Sequence, residues 1–189
     1  MSSPTIAGEL VPAKRAADLR LSRRGTIAAW VGGAVAVALC FAHFGVSGHA
    51  FVGAFFAAVL VYLAAFDLEH RLIPNRVVLP ASAIVLAAQI ALYPNHAVEW
   101  LAAAVCTAGF FFVTLLVYPP GLGMGDVKLA FLLGAALGTA VVGAILVGTL
   151  AAAVFGGVLI LRGGAQARKT AFAFGPFLAL GGIVALLLS

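Results

Sequence analysis

From Thr26 to Leu188 the chain is a succession of apolar runs, each close to the thickness of a bilayer, separated by short turns rich in Gly, Pro and Asn. A helix needs about 20 mostly apolar residues to cross the hydrocarbon core. In lipid, every backbone polar group must be satisfied within the segment, which a helix does. Composition agrees: 64% of residues are hydrophobic and 9% are charged, far from the balance of a soluble domain. The sequence therefore predicts an all-α, polytopic helical membrane protein. Its 189 residues leave room for about six to eight crossings and no sizeable soluble domain.

The runs are Thr26 to Val46, Phe51 to Phe66, Val77 to Tyr93 and Val98 to Tyr118, the last stopped by Pro119-Pro120-Gly121. Leu68 to Asn75 reads as a polar turn. Val127 to Leu161 would make a single helix of about 50 Å, too long for one crossing. Basic residues at both of its ends, Lys128 and then Arg162, Arg168 and Lys169, favour a hairpin with a break near Gly138-Thr139 or Gly143. Ala171 to Leu188 is the last run, interrupted early by Gly175-Pro176. The expectation is about seven transmembrane helices, with a basic tail at 1–25 and a helical domain at 26–189. The first run is read as an uncleaved anchor, being too long for a signal-peptide core.

Charge sets the orientation. With the tail in the cytoplasm, seven crossings put all eleven Lys and Arg residues on that side, and the outer turns at Ser47 to Ala50 and Pro94 to His96 carry none. That is the asymmetry the positive-inside rule asks for. The net charge of +5 is then matched to anionic lipid rather than to nucleic acid, for which no base-reading motif is present. The expected location is the inner (plasma) membrane of a bacterium or archaeon.

Against this background two acids stand out, Asp67 and Asp126, each at the edge of an apolar run. An ionisable side chain there is costly, so a functional role is the default hypothesis. The topology puts both at the cytoplasmic interface. Two carboxyls held close cannot both ionise cheaply and come to share a proton. One can then draw a proton from water while the other polarises a carbonyl, the chemistry of aspartic proteases, which needs neither metal nor cofactor. Gly123 and Gly125 shape the backbone beside Asp126 so that a substrate strand can approach.

Structural readings stand beside these. Asp67 could be an interfacial acid paired with Arg71 four residues on. Asp126 could be an N-cap or first-turn acid opening its helix. Lys128 is open between snorkelling to headgroups and tuning Asp126. Glu69, His70, Arg71 and Arg76 read as a solvated turn, Glu99 as an interfacial acid on the outer face, and His43 and His96 as structural. Cys40 and Cys106, with no Cys-x-x-Cys, read as buried inert thiols.

Asp67-Leu68-Glu69-His70-Arg71-Leu72-Ile73-Pro74-Asn75, then Gly123-Met124-Gly125-Asp126-Val127-Lys128-Leu129, then Phe174-Gly175-Pro176-Phe177-Leu178-Ala179 with Gly181, resemble in type and order the motifs of the type IV prepilin peptidases. These are membrane aspartyl proteases of the Gly-x-Gly-Asp type. The resemblance covers Phe51 to the end. It implies an endopeptidase that cuts the basic leader from type IV prepilins or pilin-like proteins after a glycine, at the cytoplasmic membrane face, with Asp67 and Asp126 catalytic. The larger bifunctional members carry paired Cys-x-x-Cys motifs and also N-methylate the new terminus. This chain has neither those cysteines nor that length, so methyltransferase activity is not expected. The alternative is a proton-coupled small-solute transporter, which would want its acids near the bilayer midplane and often shows an inverted repeat.

Overall fold

The computed structural model describes residues 19–118, 122–167 and 173–189. They form seven α-helices: α1 (Arg23–Phe44), α2 (Gly48–His70), α3 (Asn75–Leu92), α4 (Ala97–Val117), α5 (Met124–Leu137), α6 (Val141–Ala167) and α7 (Gly175–Leu188). Single 3₁₀ turns, Pro94–His96 and Gly138–Ala140, lead into α4 and α6. Among the described residues there is no strand. The chain is an all-α, multi-pass membrane protein. Five helical runs are long and apolar enough to cross a bilayer: α1, α2, α3, Pro94–Val117 and the stretch Met124–Arg162 taken whole. The 14 residues of α5 and the 14 of α7 extend only about 21 Å each, less than the hydrocarbon core.

Local chemistry sets the boundaries. Ser22 caps α1, its Oγ accepting from Gly25 N–H at 3.1 Å, and Ser47 caps α2 through Ala50 N–H at 3.2 Å. The second helix runs further than the apolar pattern alone indicates. Leu68, Glu69 and His70 lie inside it, not in a turn, because Arg71 closes the last helical turn through its N–H to the Asp67 carbonyl at 2.8 Å. Arg71 ends the helix in the left-handed region, φ 52°, an uncommon seat for a residue with a Cβ. Pro176 lies at the start of α7, where its missing N–H costs nothing; it opens that helix rather than interrupting one.

The long apolar stretch does break at Gly138, whose φ of 54° suits glycine. Packing shows what the break does. A Cβ on Gly148 of α6 would lie 2.8 Å from the carbonyl oxygen of Phe177, and one on Gly181 of α7 would run into that of Ala144. These helices therefore cross backbone to backbone and antiparallel, as small residues permit in a membrane, where apolar burial gives helices little reason to associate. Along α7, Gly175 faces Asp67, Gly182 faces Leu60 and Leu133, and Leu186 faces Gly53. So α7 runs antiparallel to α2 and parallel to α5. The arms α5 and α6 accordingly fold back on each other, both resting on α7.

This arrangement gathers the ends of α2 and α6 and the starts of α1, α3, α5 and α7 at one end of the bundle. The described basic residues Arg20, Arg23, Arg24, Arg71, Arg76, Lys128 and Arg162 lie toward that end; Lys14, Arg15, Pro119 to Gly121, Arg168 and Lys169 fall outside the described residues. At the opposite end, Glu99 accepts from Thr139 Oγ1 at 3.1 Å and pairs with His96 at 3.0 Å, tying the start of α4 to the α5–α6 turn. Buried Gln89 donates to the Ala136 carbonyl at 2.8 Å, satisfying one of the open carbonyls at the end of α5. Of the two cysteines, Cys40 is buried but Cys106 is exposed, because it lies on an outer face of α4; the expectation that both are buried is corrected on that point.

Candidate active site

Asp67 and Asp126 reach the same end of the bundle by different routes. Asp67 occupies the last turn of α2 and is only 6% exposed. Its Oδ2 accepts a hydrogen bond from the Gly175 N–H at 3.0 Å, across 108 residues of chain. The start of α7 thus turns its free amide on the carboxylate, as unpaired N–H groups at a helix N-terminus are placed to do. Gly175 must be small for this: a Cβ there would sit 2.7 Å from Asp67 Oδ2. Among the described residues no ion pair joins Asp67 to Arg71, so Asp67 is not the interfacial partner of that guanidinium.

Asp126 lies in the first turn of α5. Its Oδ2 accepts from the Gly123 N–H at 2.9 Å, while its own N–H donates to the Gly123 carbonyl at 3.0 Å. The carboxylate closes the acidic half of a capping box, and the helix dipole favours its charge. The first-turn reading of Asp126 therefore holds, and it leaves one carboxylate oxygen outside the cap. The two acids come to the same end of the bundle: Asp126 and Phe66, the residue before Asp67, line one cleft.

A cleft of about 640 Å³ opens beside them, within the range of small-ligand sites. Gly123, Gly125 and Asp126 form one wall; Tyr62, Phe66 and the Ile73-Pro74-Asn75 turn form another. Asp67 follows Phe66 in α2 but is not itself among the residues that line the cleft. Gly125 packs on Ile73, whose Cβ would lie 3.0 Å from a Cβ at that position, so this glycine holds the turn tight against the start of α5. Arg71, Arg76 and Lys128 complete the rim. Lys128 Nζ donates to Asn75 Oδ1 at 2.7 Å, linking α5 to the start of α3; it neither pairs with Asp126 nor stands free.

Two features escaped the sequence reading. Glu69 is not simply solvated: it accepts from both the N–H and the Oγ of Ser22, and His70 Nε2 lies 3.1 Å from the Arg20 carbonyl oxygen. The segment before α1 is clasped to the helix end that carries Asp67. The second is Gly175 as a donor to Asp67. Its glycine-proline motif was visible, but its partner 108 residues away was not. Among the described residues no three His, Cys, Asp or Glu side chains converge as a metal site would require.

Comparison with known proteins fits this geometry. The model of the type IV leader peptidase family matches residues 54–161, more than half of the chain and a span containing both aspartates. The chain belongs to this family. The prepilin leader peptidase/N-methyltransferase of Bacillus subtilis (strain 168) is 30% identical over 148 residues, which cover 76% of this chain and 58% of that protein. The protein of the same name from Xanthomonas campestris pv. campestris is 32% identical over 155 residues, covering 77% of this chain and 54% of that one. The leader peptidase-family chain thus spans little more than half the length of these relatives. No solved structure matches it.

Proposed function

We propose that this chain is a membrane aspartic endopeptidase that removes the basic leader of type IV prepilins or pilin-like proteins at the cytoplasmic face of the inner membrane. Asp67 and Asp126 share the work: one draws a proton from water while the other, protonated, polarises the scissile carbonyl. Gly123 and Gly125 give the substrate backbone access, and Lys128 keeps the cleft in shape by holding Asn75. What supports the reading is that two sequence-remote carboxylates lie at one end of the bundle, Asp126 on the wall of an open cleft and Asp67 next to its lining residue Phe66, within a member of the leader peptidase family. The cationic end of the bundle supports a cytoplasmic orientation for the site. The transporter reading loses its ground, because its relay acids belong near mid-membrane and these two stand at one end.

The test is cleavage of a prepilin-type substrate, a Lys-rich leader, a glycine and an apolar helix, by purified protein in liposomes. Asp67→Asn and Asp126→Asn should each lower cleavage by about 100-fold or more while membrane insertion is retained. Full activity in either variant would sink the two-carboxylate mechanism.

A further inference from the structure

The catalytic cleft is not the only cavity at this end. A second, almost wholly apolar groove of about 370 Å³ runs between α1 and α2. Its α1 wall is Thr26, Ala29, Trp30, Gly33, Ala34 and Val37, a spacing that puts them all on one helix face. Ala58 and Tyr62, one turn apart on α2, form the facing wall. Tyr62 also lines the cleft, so the two cavities share a side chain. From there the groove descends along α1 for about 16 Å, the rise between Thr26 and Val37.

The lining is built for a helix. Three alanines and a glycine make up four of its nine lining residues, and small residues let helix backbones approach closely in a membrane. Gly33 is buried, yet a Cβ placed on it would meet nothing within 4 Å; it faces space left by the helices around it. By contrast, neighbouring Gly32 packs against Val61, which fixes how α1 meets α2. Trp30, 76% exposed, stands as a flange beside the opening.

We infer that this groove seats the apolar helix of the substrate. The inference rests on the peptidase reading. A prepilin-type chain is a basic leader joined to an apolar helix, with the scissile bond at the junction. A cleft at the membrane interface that continues into an apolar groove along α1 matches that order: leader outside, junction at the carboxylates, helix in the groove. An occupant fixed there explains how one bond near a membrane surface is presented in register to Asp67 and Asp126.

The test uses the full chain carrying Asp126→Asn, with Cys40 and Cys106 replaced by Ala, in liposomes with the uncleaved substrate. A cysteine at Gly33 should form disulfides with single cysteines on the substrate helix at intervals of about 3.6 residues. A cysteine at Val35, on the opposite side of α1, should not. In the otherwise native enzyme, Gly33→Leu puts a side chain into the groove from a position where the added Cβ meets no neighbour. It should lower kcat/KM about tenfold through KM, with kcat unchanged. Equal crosslinking from Val35, disulfides only between two copies of this chain, or capture of lipid alone would overturn the inference. Loss of kcat rather than a rise in KM would overturn it too. If the unaltered protein cuts no such substrate, the peptidase reading fails, whereas the Gly33 crosslinks report on the groove independently.

Discussion

The two aspartates sit at opposite kinds of helix end. Asp126 is at a helix start, held by the amide of Gly123 three residues away, with the helix dipole in its favour. Asp67 is at a helix end, where the dipole opposes an anion, and its hydrogen bond comes from Gly175 on another helix. One seat is built locally and the other by tertiary structure. A local seat survives as long as its own turn does. A tertiary seat depends on α7 docking against α2, and so on every close contact down that interface, from Gly175 to Gly182 to Gly53. The site is therefore expected to be tolerant on the Asp126 side and brittle on the Asp67 side.

Removing either carboxylate should not reveal that asymmetry, because in the proposed mechanism both act on the same water. Asp67→Asn and Asp126→Asn should each lower the cleavage rate by about 10²- to 10⁴-fold, the usual loss when acid–base catalysis fails, read from initial rates on liposome-borne substrate. The asymmetry shows in the glycines. Gly175→Ala puts a methyl 2.7 Å from Asp67 Oδ2, which forces the carboxylate or the start of α7 to move. A shift of about 1 Å in a catalytic group costs on the order of 100-fold in rate. At Gly123, φ is −109° and a Cβ would stand 3.6 Å from Asp126 Oδ2, so Gly123→Ala should leave the carboxylate seated and kcat within about twofold, its cost falling on KM because the methyl narrows the substrate's approach. A rate loss at Gly123 equal to that at Gly175 would break the comparison. Gly125→Ala should fall between them, since Ile73 must give by a few tenths of an ångström.

The same division separates what the sequence made legible from what it did not. Helices α1 to α4 and the break at Gly138 were readable because lipid dictates the length and polarity of a crossing, and Gly138 marks where a long run must bend. Asp67 and Asp126 stood out as candidates because acids are scarce in such a chain, and the fold brings both to one end of the bundle. The unread contacts were the long-range ones. Nothing local announces that Glu69 reaches Ser22, that Lys128 holds Asn75, or that Gly175 donates to Asp67. The end of α2 was placed too early because Leu68 to His70 look polar. The helix nevertheless continues, its last turn closed by backbone bonding at Arg71, which polarity does not forecast.

Lys128 sharpens the contrast from the local side. Its bond to Asn75 joins α5 to α3 near an exposed rim, and the loss of one such bond is worth about 1 kcal/mol. Lys128→Met and Asn75→Ala should each lower thermal stability in detergent slightly, and the double variant should cost no more than either alone. Cleavage should persist in all three. A collapse of activity in Lys128→Met with stability intact would restore the reading of Lys128 as a charge that tunes Asp126.

A last, modest effect concerns Glu69, two residues from Asp67 yet bonded to the segment before α1. Gly25 belongs to the same clasp, because a Cβ there would run into the Glu69 carboxylate. If α7 positions Asp67, as the Gly175 bond indicates, then Glu69→Ala loosens the start of α1 and leaves the carboxylate in place. Amide hydrogen exchange at Gly25 and Thr26 should quicken, and KM should rise by no more than about threefold, as expected when an exposed polar contact is lost, with kcat unaltered. A fall in kcat matching that of Gly175→Ala would mean that the clasp, and not α7, sets the position of Asp67. The brittle seat would then extend from the last helix to the first.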